Sequence, residues 1–134
     1  MSHRSNYGNR PRQSKKEIAA EVVKLHGPVA QRFAANFMHE RQNKSTTIEV
    51  NDDGTEIRIR HWRTEVAVLR IKHDAIVSCC LYSRGHRSMT TKECLNDVLS
   101  YAGLRKGGVM QKNYKWFVNG RPFEDGMEMI NEQA

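Results

Sequence analysis

The 134-residue sequence has no apolar run near the roughly 20 residues that a membrane-crossing helix needs. No membrane partner is therefore expected. Residues Met1 to Lys16 are polar and basic and lack the hydrophobic stretch of a secretory signal. Cysteines number three, two of them adjacent at Cys79-Cys80, which suits a reducing compartment better than a disulfide framework. No C-x-x-C, no H-E-x-x-H and no ligand pair at helical spacing occurs, so neither a metal nor any other cofactor is expected. A Ser/His/Asp order, a G-x-S-x-G and a P-loop are missing as well. The acids are scattered, with Asp52-Asp53 in one turn and Glu124-Asp125 in another. The expectation is a protein that is not an enzyme, with a nuclease of widely separated ligands as the one enzymatic reading left open.

What the chain does have is positive charge. Lys and Arg number 22 against 15 Asp and Glu, giving a formal net charge of +7 and a pI near 9.6. Such an excess points to an acidic partner, nucleic acid first and an acidic protein surface next. Charge kept simply for solubility is the plain alternative. The length fits one domain with a core of its own.

Three segments follow from composition. Residues 1–13 are expected to form a flexible basic arm carrying Arg10 and Arg12, with Lys15 and Lys16 just beyond it. Residues 14–126 read as a single α+β domain, and 127–134 as a frayed acidic tail. Ser14-Lys15-Lys16-Glu17 has the form of a capping box opening a short helix with Ile18, Val22 and Leu25 on one face. Gly27-Pro28 interrupts it, and Val29, Phe33 and Phe37 predict a second helix. From Ser45 the apolar period changes to two. The pattern predicts strands at 46–50, at 57–61 after the Asn51-Asp52-Asp53-Gly54 turn, at 65–72 and at 76–82. A helix opening at Thr90 or Thr91, with Gly103 at its exit, precedes a hairpin of 109–112 with 115–118. Residues 122–126 read as loop. The expected fold is an antiparallel sheet of four to six strands with helices packed on one face.

Two constellations are candidates for binding. Ser83 to Glu93 joins a strand to a helix start and brings Arg84, Arg87, Thr90, Thr91 and Lys92 to amides that the helix leaves unpaired. A phosphate could sit there. The bland alternative is a capped helix after a glycine turn, needing only Thr90 and Glu93, and Glu93 in the first turn would already answer the helix dipole. The second constellation is basic and aromatic: Arg58, Arg60, Trp62 and Arg63 on one hairpin with Arg70 and Lys72 next to it, echoed by Tyr114 and Trp116 flanked by Lys112 and Lys115. Cations meet phosphate and rings stack on bases; a solvated strand face gives the same alternation.

Met89-Thr90-Thr91-Lys92-Glu93-Cys94-Leu95-Asn96 and Gln111-Lys112-Asn113-Tyr114-Lys115-Trp116-Phe117-Val118 resemble a pattern met in small uncharacterised tailed-bacteriophage proteins. The likeness spans mainly residues 83–120 and leaves out the N-terminal helices and arm. The resemblance implies a phage origin and, with it, the host bacterial cytoplasm as location. In element order residues 28–102 also resemble the double-stranded-RNA-binding domain, with Arg84 to Ser88 at its phosphate-contacting loop. A fourth strand and a single basic residue, Lys92, after Thr91 depart from that pattern. Together these readings give the expectation of a phage-encoded, non-enzymatic accessory protein that binds nucleic acid, DNA or RNA, or a nucleoprotein machine. The competing expectation is a host-takeover or counter-defence protein that binds and inhibits a host protein.

Overall fold

Proline pre-sets the backbone of a first helical residue, and Pro28 opens helix α1 (Pro28–Glu40). The computed structural model describes residues 28–133. The expected helix over 14–25, the basic arm and the lower bound of the 14–126 domain lie outside the described residues. Ala30, Phe33, Ala34, Phe37 and Met38 form the buried face of α1, and the rings of Phe33 and Phe37 stack at 5.1 Å.

Four strands follow as an antiparallel meander: β1 (Thr46–Val50), β2 (Glu56–His61), β3 (Thr64–Lys72) and β4 (Ala75–Leu81). Helix α2 (Met89–Ala102) comes next. After it stand β5 (Val109–Lys112), β6 (Lys115–Val118), β7 (Arg121–Pro122) and β8 (Met127–Ile130). The result is the expected α+β arrangement, with one five-stranded antiparallel sheet in the order β1-β2-β3-β4-β8. The β5–β6 hairpin stays apart in a second, three-stranded sheet with β7.

Register shows why the large sheet has a dry face. Val50, Ile57, Leu69, Cys79 and Met129 lie side by side across all five strands, and Ile48, Ile59, Ala67, Leu81 and Met127 form the neighbouring row. These residues join α1 and α2 in a single core.

Two expectations are corrected here. Residues 127–134 were expected to fray, yet Met127 to Ile130 form an edge strand of the main sheet. Met127 and Met129 alternate with Glu128, so the segment carries a half-buried strand pattern beneath its acidic composition. The domain therefore extends past residue 126. Pro122 and Phe123, expected in a loop, belong to β7 and to the core respectively.

Helix α2 ends as its sequence requires. Gly103 takes a left-handed conformation (φ 76°), its N–H bonding back to Ser100, while Leu104 bonds Leu99. Amide side chains tie α2 to the small sheet. Asn96 accepts from the Val109 N–H (2.6 Å) and donates to the Val109 carbonyl (3.1 Å). Gly108 passes so close that an added Cβ would collide with the Asn96 carbonyl oxygen. Among the described residues no helix is long and apolar enough to cross a membrane.

The largest fully buried side chain is Arg41, 1% exposed, just beyond α1. Its Nε donates to Thr46 Oγ1 (3.1 Å), and its Nη1 to Asp97 (3.0 Å) and Glu93 (3.3 Å). One guanidinium thus joins the end of α1, the start of β1 and the middle turns of α2. Breaking a fully buried pair costs roughly 3–5 kcal/mol; here both carboxylates keep some water, so Arg41→Met is expected to cost about 2–3 kcal/mol. Urea unfolding at neutral pH measures it. A loss under about 0.5 kcal/mol, the range of ordinary surface changes, would show that Arg41 does not hold these layers together.

Candidate functional site

The turn joining β2 to β3 and the loop joining β4 to α2 meet at the head of α2. A cleft of about 500 Å³ lies between them, lined among others by His61, Trp62, Ser83, His86, Arg87 and Thr90.

The β2–β3 turn is two residues long, since His61 pairs directly with Thr64. It places Trp62 at φ 61°, where a bulky side chain is uncommon. The ring is 70% exposed and stands edge-on to His61 with centroids 6.4 Å apart. On the other wall Asp125 shapes the loop. Its carboxylate accepts from the Ser83 N–H (2.8 Å), the Ser83 hydroxyl (2.7 Å) and the Arg84 N–H (2.7 Å). Burial alone would raise the Asp125 pKa, but these bonds, helped by the Arg87 charge, outweigh it and hold the group below its ordinary value.

Ser88 caps α2. Its Oγ accepts from the Thr91 N–H (3.2 Å) and contacts the Thr90 and Thr91 hydroxyls. The expected cap of Thr90 and Glu93 is thus displaced by one with Ser88 at its centre. Glu93 lies beyond the first turn, which holds no acid. It bonds Arg41 and Lys44 instead, and Lys44 first, then Arg41, pulls its pKa down.

His61 forms part of the cleft wall and is only 5% exposed. Its Nε2 lies 3.2 Å from Thr90 Oγ1, and its Nδ1 has no hydrogen-bond partner among the described residues. A buried N–H without an acceptor is costlier than an unused lone pair. That assigns the proton to Nε2, donating to Thr90, whose hydroxyl can donate onward to Ser88. Burial first, then the Arg41 charge, lowers the His61 pKa, with Glu93 opposing. The imidazole is therefore neutral at pH 7.

The fold brings together Trp62, Arg87 and Thr90, which the sequence supplies from two distant segments. Thr91 lines the same cleft but is buried by its capping role, so it offers a ligand nothing. Trp116, expected to stack, is 4% exposed and packs edge-on against Phe123. Its alternation partner Val118 is buried too, so this phase of β6 faces inward. Trp116 serves Arg87 instead: that guanidinium lies 5.7 Å from the Trp116 ring and 5.4 Å from Phe123.

The other expected cations lie elsewhere. Arg84 folds onto the Tyr82 ring (4.0 Å) and bonds the Glu65 carbonyl and carboxylate. Arg58 pairs with Glu56 and Glu65, and Arg60 with Glu49. That strand face is charge-paired, and Trp62 stands past its end, in the turn. Lys92 and Lys115 do not line the cleft. Arg10, Arg12, Lys15 and Lys16 lie outside the described residues. Six of the 22 Lys and Arg and two of the 15 Asp and Glu fall in residues 1–27, leaving 16 against 13 beyond them.

His61, Ser88 and Asp125 were not singled out from sequence. His61 had a signal, since it falls in phase with Ile57 and Ile59 and a polar residue in a buried phase is informative. Asp125 had none, because its partners lie more than 40 residues away. Among the described residues no group of three His, Cys, Asp or Glu could hold a metal ion.

Because the folded His61 pKa lies below the ordinary 6.5, the unfolded chain takes up its proton first. The associated stability is present above about pH 6.5 and is lost as pH falls through that range. Urea midpoints at pH 7.5 and 5 should differ less in His61→Gln than in wild type; an equal difference would assign the loss to other groups.

Residues 28–130 match the family model described as Kyanoviridae Gp96 protein. The match runs from the first residue of α1 to the last of β8, well beyond 83–120, and so includes the helix that the earlier likeness left out. Neither a curated protein nor a solved structure matches the chain.

Proposed function

The chain belongs to the Kyanoviridae Gp96 family, a family of bacteriophage proteins, and on that premise we propose that it is a non-enzymatic accessory protein binding nucleic acid, or a nucleoprotein machine, in the infected host cell. The observation that supports this reading is the convergence of Trp62, Arg87 and the head of α2 on one cleft. Each offers a different contact. The exposed indole has a face for a base, the guanidinium a fork for phosphate oxygens, and the helix start the positive end of a dipole. Neutral His61 beneath adds no charge of its own and leaves Arg87 as the cation of the cleft. In this reading the basic residues of 1–27, Arg10, Arg12, Lys15 and Lys16 among them, add attraction that depends on charge rather than sequence.

The test is a fluorescence-anisotropy titration of the full chain with a labelled oligonucleotide over a range of salt. The logarithm of the binding constant should fall linearly with the logarithm of salt concentration. Trp62→Ala and Arg87→Ala should each weaken binding, and Arg87→Ala should also flatten the slope by about 0.7–0.9, the share of one phosphate contact. No binding at about 50 mM salt, where such contacts are strong, would overturn the proposal. So would a host protein held stoichiometrically through nuclease and high salt by Trp62 and Arg87, which would mark the cleft as an inhibitory surface.

A further inference from the structure

We infer that the tip of the β5–β6 hairpin is a stacking post for unpaired bases, so that the nucleic acid bound is single-stranded. The inference rests on the nucleic-acid reading above and adds the class of strand.

The tip is built at a cost that the fold does not recover. Asn113 and Tyr114 form the two-residue turn, both at positive φ (53° and 65°). Such a turn favours Asn-Gly, and a tyrosine in the glycine place accepts left-handed strain. The ring gains nothing from packing in return, being 96% exposed. Lys112 and Lys115 are direct cross-strand partners, both exposed, and neither has an ion-pair partner among the described residues. Like charges in that position repel.

The base of the hairpin is the reverse. Val109 is held through both backbone groups by Asn96. Asn119 accepts from the Lys106 and Gly108 amides and donates to the Leu104 carbonyl. Val109, Trp116 and Val118 are buried. A fixed base thus presents a tip whose local choices run against its own stability, a conflict expected where a residue serves contact rather than folding.

Chemistry selects the partner. The lysines call for anions, and the ring calls for a flat face that it can cover. An acidic peptide meets the first demand alone. A duplex offers phosphates but keeps its base faces stacked inside. A single strand offers both, and ring-on-base stacking tolerates any sequence. Trp62 repeats the combination at another hairpin end: an aromatic at positive φ, largely exposed, with Arg63 beside it. Arg87 of the cleft packs on Trp116, in the strand that Lys115 opens, so both hairpins meet the same part of the core.

The test compares full-length wild type, Tyr114→Gly and Tyr114→Phe on single-stranded DNA, single-stranded RNA of the same sequence, and a duplex of equal length. Wild type should prefer at least one single strand over duplex by about tenfold or more, the two strand types showing which sugar is bound. Tyr114→Gly should lower single-strand affinity by about tenfold, the size of one stacked base. It should leave duplex binding unchanged, and its melting temperature should equal or exceed that of wild type, since glycine suits the turn. Tyr114→Phe should bind like wild type. Equal affinity for single strand and duplex, or full single-strand binding by Tyr114→Gly, would overturn this inference and leave the nucleic-acid reading standing. No binding to any of the three would overturn both, and a protein partner lost on Tyr114→Gly in place of nucleic acid would do the same.

Discussion

Arg41 is the constraint on which the arrangement depends. A buried guanidinium must meet acceptors at fixed positions or pay the full desolvation of its charge, and here the acceptors come from Thr46 and from two carboxylates on α2. Apolar contact alone would let α2 slide over the sheet by fractions of a turn. Directional bonds from one cation remove that freedom. The head of α2 is thereby placed against the β2–β3 turn, and the cleft is what remains between them. The same charge also acts on His61, opposing its protonation. A residue distant in sequence from both walls thus shapes the site and adds to the burial that keeps His61 neutral.

Much of the fold is legible locally. The α1 stripe, the period-two runs, the glycine turns and the Gly103 exit each state their element within a few residues. Where sequence reading fails, the deciding partner is remote or the composition misleads. Met127 and Met129 were hidden by the acids around them, although their alternation is a strand pattern. In Lys115-Trp116-Phe117-Val118 the phase of Trp116 and Val118 is wholly apolar while the other carries Lys115, so the alternation marks Trp116 as inward, and only the flanking lysines suggest a binding surface. Arg41 carries no mark of burial, for it bonds acceptors at positions 46, 93 and 97, two of them more than 50 residues away. For the site, Trp62 and the 84–92 segment were both legible as candidates. That they share one cleft was not, because it depends on His61 meeting Thr90 across 29 positions.

The charge distribution also differs from what the total suggests. Arg41, Arg58, Arg60 and Arg84 each bond carboxylates within the fold. These pairs bind the sheet and its loops together more than they advertise a positive surface. The proposed interface therefore relies on a few cations left outside such pairs, Arg87, Lys112 and Lys115, together with exposed rings. Selectivity built this way resides in shape and stacking, while bulk attraction is left to residues 1–27.

The packing of Arg87 against Trp116 and Phe123 has a thermodynamic consequence. A free surface arginine samples many rotamers, and holding one such side chain on association costs roughly 0.5–1.5 kcal/mol. Resting against two rings that are themselves fixed in the core, this exposed guanidinium has given up part of that freedom during folding. An anion entering the cleft meets a donor already in place, and less of the encounter is lost to ordering it.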